Sequence, residues 1–113
     1  MQLQKIVEKL ELTVVSGQNN LDKDVTHGYI SDILSDVMAK APKGSLWITT
    51  QTHENVVAIL FFKGLAAAIL PDGLSPDENT LKKAIEKDLP LLATSLPAFE
   101  VAGRLYELGI VGY

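Results

Sequence analysis

Apolar and polar positions follow two periods along this chain and divide it into short elements. Leu3, Ile6, Val7 and Leu10 recur at the spacing of one helix face, which predicts a helix over residues 2–10. Residues 12–16 (LTVVS) have the β-branched composition of a strand. Residues 17–24 (GQNNLDKD) are polar and turn-rich, so a loop is expected there, and residues 25–30 read as a second short strand. Ser31 stands as the cap of a helix whose inward face carries Ile33, Leu34, Val37 and Met38, stopped by Pro42 and Gly44. Residues 46–50 (LWITT) form a strand, and residues 53–62 a helix opened by Thr50 or Thr52 and ended by Gly64. That helix is apolar nearly all round. Residues 66–70 form a continuous apolar run, as expected of a strand covered on both faces. Ser75-Pro76-Asp77-Glu78 has the pattern of a capping box with proline at the first helical position. The helix it predicts turns Leu81, Ala84 and Ile85 inward and Lys82, Lys83, Glu86 and Lys87 outward. Residues 91–94 are another buried strand. Ser95 or Leu96, with Pro97, opens a last helix carrying Phe99, Val101, Ala102, Leu105 and Leu108, which Gly109 closes.

From residue 46 onward strands and helices alternate, the signature of an α/β fold with right-handed crossovers. The expected architecture is a mostly parallel sheet of about five strands with helices on both faces. Residues 1–113 make one domain, with the strands at 46–50, 66–70 and 91–94 sharing the sheet. The apolar helix over residues 53–62 has one face for the sheet. Its second face is covered either by the terminal helices or by a second subunit. The latter predicts a homodimer with Val56, Val57, Leu60 and Phe61 at the interface.

Composition removes several kinds of chemistry. The chain has no cysteine, which excludes disulfides, thiolate metal sites and Cys nucleophiles. A formal charge of −4 argues against non-specific nucleic-acid binding, whose affinity comes from neutralised phosphates. Mean hydropathy is slightly apolar at +0.18. Yet the most apolar stretch, residues 56–70, is broken by Lys63 and Gly64. It also falls short of the roughly 20 residues a membrane helix needs. Charged residues interrupt residues 2–10, so no export signal is expected and the protein reads as cytoplasmic. APKGS at 41–45 is not a phosphate-binding loop, and neither G-x-G-x-x-G nor G-x-S-x-G occurs. His53-Glu54 opens like a zinc-protease helix, but no histidine follows four residues on, and the only other one is His27. No catalytic residue, metal or cofactor is expected.

Two clusters carry alternatives. Asp32 and Asp36, four apart, read either as a solvated helix face or as a carboxylate pair for acid–base or Mg²⁺ work. Ligands of open α/β sheets bind beyond the carboxyl ends of the strands. Those ends carry Thr49, Thr50, Thr52 and His53, then Asp72, then Thr94 and Ser95. Their hydroxyls are either helix caps or a cradle for a small anionic effector such as a nucleotide.

The segment Leu21-Asp22-Lys23-Asp24-Val25-Thr26-His27-Gly28-Tyr29, continuing through Ser31-Asp32-Ile33-Leu34-Ser35-Asp36-Val37, resembles the DRTGG domain family. So do residues 46–53 and 95–109. The family motif falls at Asp22, Lys23, Thr26, His27 and Gly28, with Lys23 where arginine is usual and His27 where the first glycine is usual. The resemblance implies an α/β fold like the N-terminal domain of HPr kinase/phosphorylase. It implies an accessory role too, regulatory or dimer-forming, through a protein partner or an effector, with catalysis done elsewhere.

Overall fold

The computed structural model describes residues 1–113. Its elements are α1 (Leu3–Leu10), β1 (Thr13–Ser16), a 3₁₀ turn (Gln18–Asn20), β2 (Gly28–Ile30), α2 (Leu34–Lys40), β3 (Leu46–Ile48), α3 (Asn55–Lys63), β4 (Ala67–Leu70), α4 (Glu78–Glu86), β5 (Leu91–Ala93) and α5 (Ala98–Glu107). The fold is α/β. Its five-stranded sheet has the order β1-β5-β4-β3-β2, with β2 to β5 parallel and β1 antiparallel on the edge beside β5.

Each step from β2 to β5 moves one strand across in the same direction. Right-handed crossovers therefore place α2, α3 and α4 on one face. On that face Val37, Val56, Val57, Leu60 and Ala84 pack with Trp47, Ala68 and Leu91. The chain then turns to the other face, where Leu3, Ile6 and Leu10 of α1 and Val101 and Leu105 of α5 cover Leu46, Ile48, Ala67, Ile69 and Leu92. Alternate residues of β3, β4 and β5 thus feed opposite layers, which is why these strands read as unbroken apolar runs.

Burial differs from the sequence pattern at several positions. Ile33 is an extended residue ahead of α2 and is exposed, as is Met38, while Val37 alone is fully buried on that helix. Thr80 and Ala84 form the inward face of α4, so Ile85 points out. Val101 and Leu105 set the inward face of α5, and Phe99, nearly opposite, is 89% exposed. The capping box does not form. Asp77 is the extended residue before α4 and makes no capping bond, because its carboxylate accepts the Thr52 hydroxyl at 3.0 Å. Nor do Thr50 and Thr52 open α3: Glu54 holds that place, and the Asn55 N–H donates to His53 Nδ1 at 3.3 Å.

The interface expected on α3 is also corrected. Val56, Val57 and Leu60 are buried within the chain, because α3 lies on the sheet between α2 and α4. Of its large apolar side chains only Phe61, at 55% exposure, and Phe62, at 75%, remain outside, beside the exposed Asn55 and Ala58. Lys87 sits over the Phe61 ring, 4.6 Å from its centroid.

Candidate functional site

The expected strand-end residues separate into three groups. At the end of β3, the Asp32 carboxylate gathers the donors. Its Oδ1 accepts the Thr49 hydroxyl at 2.9 Å and the Thr50 N–H at 2.7 Å, and its Oδ2 accepts the Thr50 hydroxyl at 2.7 Å. The Gln51 amide donates to the Asp32 carbonyl at 3.0 Å. A cavity of about 110 Å³ opens beside this bracket, between Ile30, Pro71 and Ala98. The donors that suggested an anion cradle therefore hold an anion that the chain itself supplies.

The second group lies between α3 and α4. The Thr80 hydroxyl donates to the Thr52 carbonyl at 2.8 Å. His53 lines a cleft of about 300 Å³ with Glu54, Asp77, Glu78, Asn79 and Thr80, and Glu54 pairs with Lys83 at 3.4 Å. This cleft is acidic.

The third group closes on itself. The Asp72 and Gly73 N–H groups donate to the carbonyls of Leu96 and Thr94, each at 2.9 Å, and the Leu96 N–H donates to the Thr94 hydroxyl at 3.1 Å. The chain leaves β4 toward α4 and β5 toward α5 on opposite faces, so a crevice belongs here. These backbone bonds stitch its two lips together. Ser95 makes no side-chain hydrogen bond in the group.

Asp32 and Asp36 do not form the shared helical face that their spacing suggested. Asp32 precedes α2, whereas Asp36 lies within it and accepts the Tyr29 hydroxyl at 2.6 Å and pairs with Lys40 at 3.3 Å. Burial pushes the Asp32 carboxyl up, but the hydrogen bonds from Thr50 and Thr49 together outweigh it and leave the group below the usual carboxylate range. The Tyr29 hydroxyl lowers Asp36, with Lys40 adding to the effect. Tyr29 is in turn pushed up to about 12, first by its bond to Asp36, then by burial. No group of three or more His, Asp or Glu side chains is placed to hold a metal ion.

A lowered folded-state carboxylate contributes stability above its unfolded value, and loses it as pH falls through the folded value. The Asp32 bracket should therefore be intact at neutral pH and released on acidification below about pH 4. Asp32→Asn is expected to cost on the order of 1–2 kcal/mol at pH 7, since it weakens hydrogen bonds to a charged acceptor that is partly in water. Urea unfolding at pH 7 and pH 3 checks this: the gap between variant and wild type should shrink at the lower pH. An equal gap at both would show that the charge of Asp32 is not what the bracket uses.

The model of the DRTGG domain matches residues 5–108. The chain belongs to the DRTGG domain family. A solved structure with the same fold is the CBS and DRTGG domains of the regulatory region of Clostridium perfringens pyrophosphatase, complexed with the activator diadenosine tetraphosphate. It superposes with a TM-score of 0.70 at 14% identity, covering 92% of this chain. The chain spans about 45% of that one. No curated protein matches the sequence.

Asp22, Lys23, Thr26, His27 and Gly28, where the family motif was expected, lie toward the opposite end of the sheet from the Asp32 bracket. They act largely through the backbone. Lys23 O accepts the Leu3 N–H at 2.8 Å, His27 O accepts the Leu46 N–H at 2.8 Å, and the Gly28 N–H donates to Val111 O at 2.9 Å. The Thr26 hydroxyl donates to Lys43 O at 3.1 Å, while Asp22 is exposed. Residues 22–28 are thus a strap joining α1, β3 and the C-terminal segment. The His27 imidazole is half-buried, with its Nδ1 buried and unpartnered. Lys23 and Lys43 share a cavity of about 470 Å³ with Asp24 and Phe61. Sequence reasoning missed Asp32 as the organiser of the β3 end. The Ser-Asp pair just after a strand was the available signal, because such residues bond nearby backbone rather than enter a helix.

Proposed function

We propose that this DRTGG domain is a non-catalytic regulatory module that acts as a homodimer. The regulatory part of the reading is supported by family membership and by a structural relative that forms the regulatory region of an enzyme. What carries the homodimer is the fate of the phenylalanines. All three, Phe61, Phe62 and Phe99, are more than half exposed once the chain has folded, whereas the single tryptophan is fully buried. A fold with a well-filled core does not need to leave its largest apolar side chains in water. The absence of catalysis is supported by how the ionisable groups are used. Asp32 is engaged by a loop and Asp36 by Tyr29, and the two histidines lie toward opposite ends of the sheet. Light scattering of the purified chain at tens of micromolar should give twice the monomer mass, and incubation with ATP and Mg²⁺ should release no phosphate. A monomer removes the homodimer reading, and Asp32-dependent hydrolysis removes the non-catalytic one.

A second reading adds a small anionic effector. It is favoured by the nucleotide bound to the pyrophosphatase regulatory region and by the pair Lys23 and Lys43 on one cavity. At the other end of the sheet, an effector held by Thr49, Thr50, Thr52 or Ser95 must displace or bypass the Asp32 carboxylate. A ligand that prefers the folded state raises the unfolding midpoint. Thermal shifts with nucleotides and inorganic phosphate therefore test the reading. A shift lost in Lys23→Gln places the ligand at the lysine cavity, and one lost in Thr50→Ala places it at the strand ends. No shift with the wild type removes the effector.

A further inference from the structure

We infer that α5 is the seam of the homodimer, packing antiparallel against α5 of a second copy about a two-fold axis between Ala102 and Gly103. The inference rests on the homodimer reading above and adds the surface. Phe99, Ala102, Gly103 and Tyr106 fall at i, i+3, i+4 and i+7, so they form one stripe along the helix. Phe99 is 89% and Tyr106 63% exposed. The stripe reads aromatic, small, small, aromatic, and it reads the same in reverse. A two-fold interface requires such a pattern, because residue i of one copy meets j of the other while j meets i. Centred between Ala102 and Gly103, it sets Phe99 opposite Tyr106 of the second copy at both ends, with only small residues between.

Two further observations agree. Gly103 has no reason within the chain to be glycine. Its φ is not positive, and a Cβ built there meets nothing within 4 Å. Glycine inside a helix is unfavourable, so its use fits close approach by a second backbone. Next, the stripe borders an apolar cavity of about 220 Å³ between Tyr106 and Ile30, whose side chain is 55% exposed. Apolar surface therefore continues from α5 onto the β2 edge. Phe61, on the other face, has Lys87 over its ring and remains 55% exposed.

Light scattering and sedimentation should find the wild type dimeric, and Phe99→Glu and Gly103→Leu monomeric. Gly103→Leu strengthens helix propensity, and a Cβ there meets nothing within 4 Å, so its unfolding midpoint in the monomer separates a lost interface from a lost fold. Phe62→Glu should remain dimeric. Because the chain has no cysteine, Gly103→Cys should cross-link on mild oxidation, whereas Lys82→Cys should not. A wild-type dimer that survives both Phe99→Glu and Gly103→Leu overturns the α5 seam and leaves the homodimer standing. A wild-type monomer overturns both, including the case in which α5 is covered by a different protein.

Discussion

Trp47→Ala is expected to destabilise the domain by about 3–5 kcal/mol, the range for emptying a large buried aromatic site. Trp47 is fully buried near the middle of the sheet, beneath α2 and α3, where it packs with Val37, Val56 and Leu60. Its loss opens a cavity that β3, held by β2 and β4 on both sides, cannot collapse into. The indole also reaches the site. Its N–H donates to the Ser31 carbonyl at 2.9 Å, immediately before Asp32. Truncation therefore removes core volume and the tether of the turn that carries the carboxylate bracket. Against a total stability of about 5–15 kcal/mol, such a loss leaves a marginal fold. Trp47→Phe should keep most of the packing and lose the hydrogen bond, costing less. Urea unfolding of both variants checks this, and a cost under about 1 kcal/mol for alanine would contradict the packing argument.

Gly17→Ala should be comparably damaging, for a backbone reason. Gly17 has φ +78°, a region that residues with a Cβ enter only at a cost. A Cβ there would stand 2.4 Å from the Pro90 nitrogen, 2.5 Å from its Cα and 2.6 Å from the Leu89 carbonyl carbon. All are backbone atoms with no rotamer to change. They are also pinned, since the Ser16 hydroxyl donates to Leu89 O at 2.7 Å and accepts the Leu91 N–H at 3.3 Å. Relief requires moving β1 away from β5, so a loss of roughly 3 kcal/mol or more is expected. Gly109→Ala is the control. Its φ is +91°, but a Cβ there meets nothing within 4 Å, so the conformational cost stands alone at about 1 kcal/mol. Thermal unfolding should separate the two clearly, and equal small shifts would show that β1 yields easily.

The candidate site was legible in its chemistry and not in its assembly. Hydroxyls and free N–H groups at strand ends are turn and cap chemistry, and Thr49 and Thr94 each accept the N–H two residues on, while Thr49, Thr50 and Thr52 donate to carboxylates. Their partners could not be read locally, because Asp32 is 17 residues from Thr49 and Asp77 is 25 from Thr52. The spacing of Asp32 and Asp36 suggested one helix face, and the helix begins between them. At the stripe on α5 the apolar period is visible in the sequence. Which of its phases meets the sheet is settled by Val101 and Leu105, and Phe99 is left outside.

The sequence by itself determined the α/β class, the five strands within a residue or two at most ends, the parallel core of β3, β4 and β5, and the family. These follow from local periodicity, from breakers such as Gly64 and Pro97, and from motif residues, all of which act within a few positions of the chain. Only the tertiary structure decided that β1 pairs antiparallel with β5, that α3 is enclosed by α2 and α4, and that the strand-end donors are held by Asp32. It also decided which apolar side chains remain in water. Those outcomes depend on contacts between residues far apart in sequence, where burial on one face excludes burial on another, and no local pattern encodes that competition.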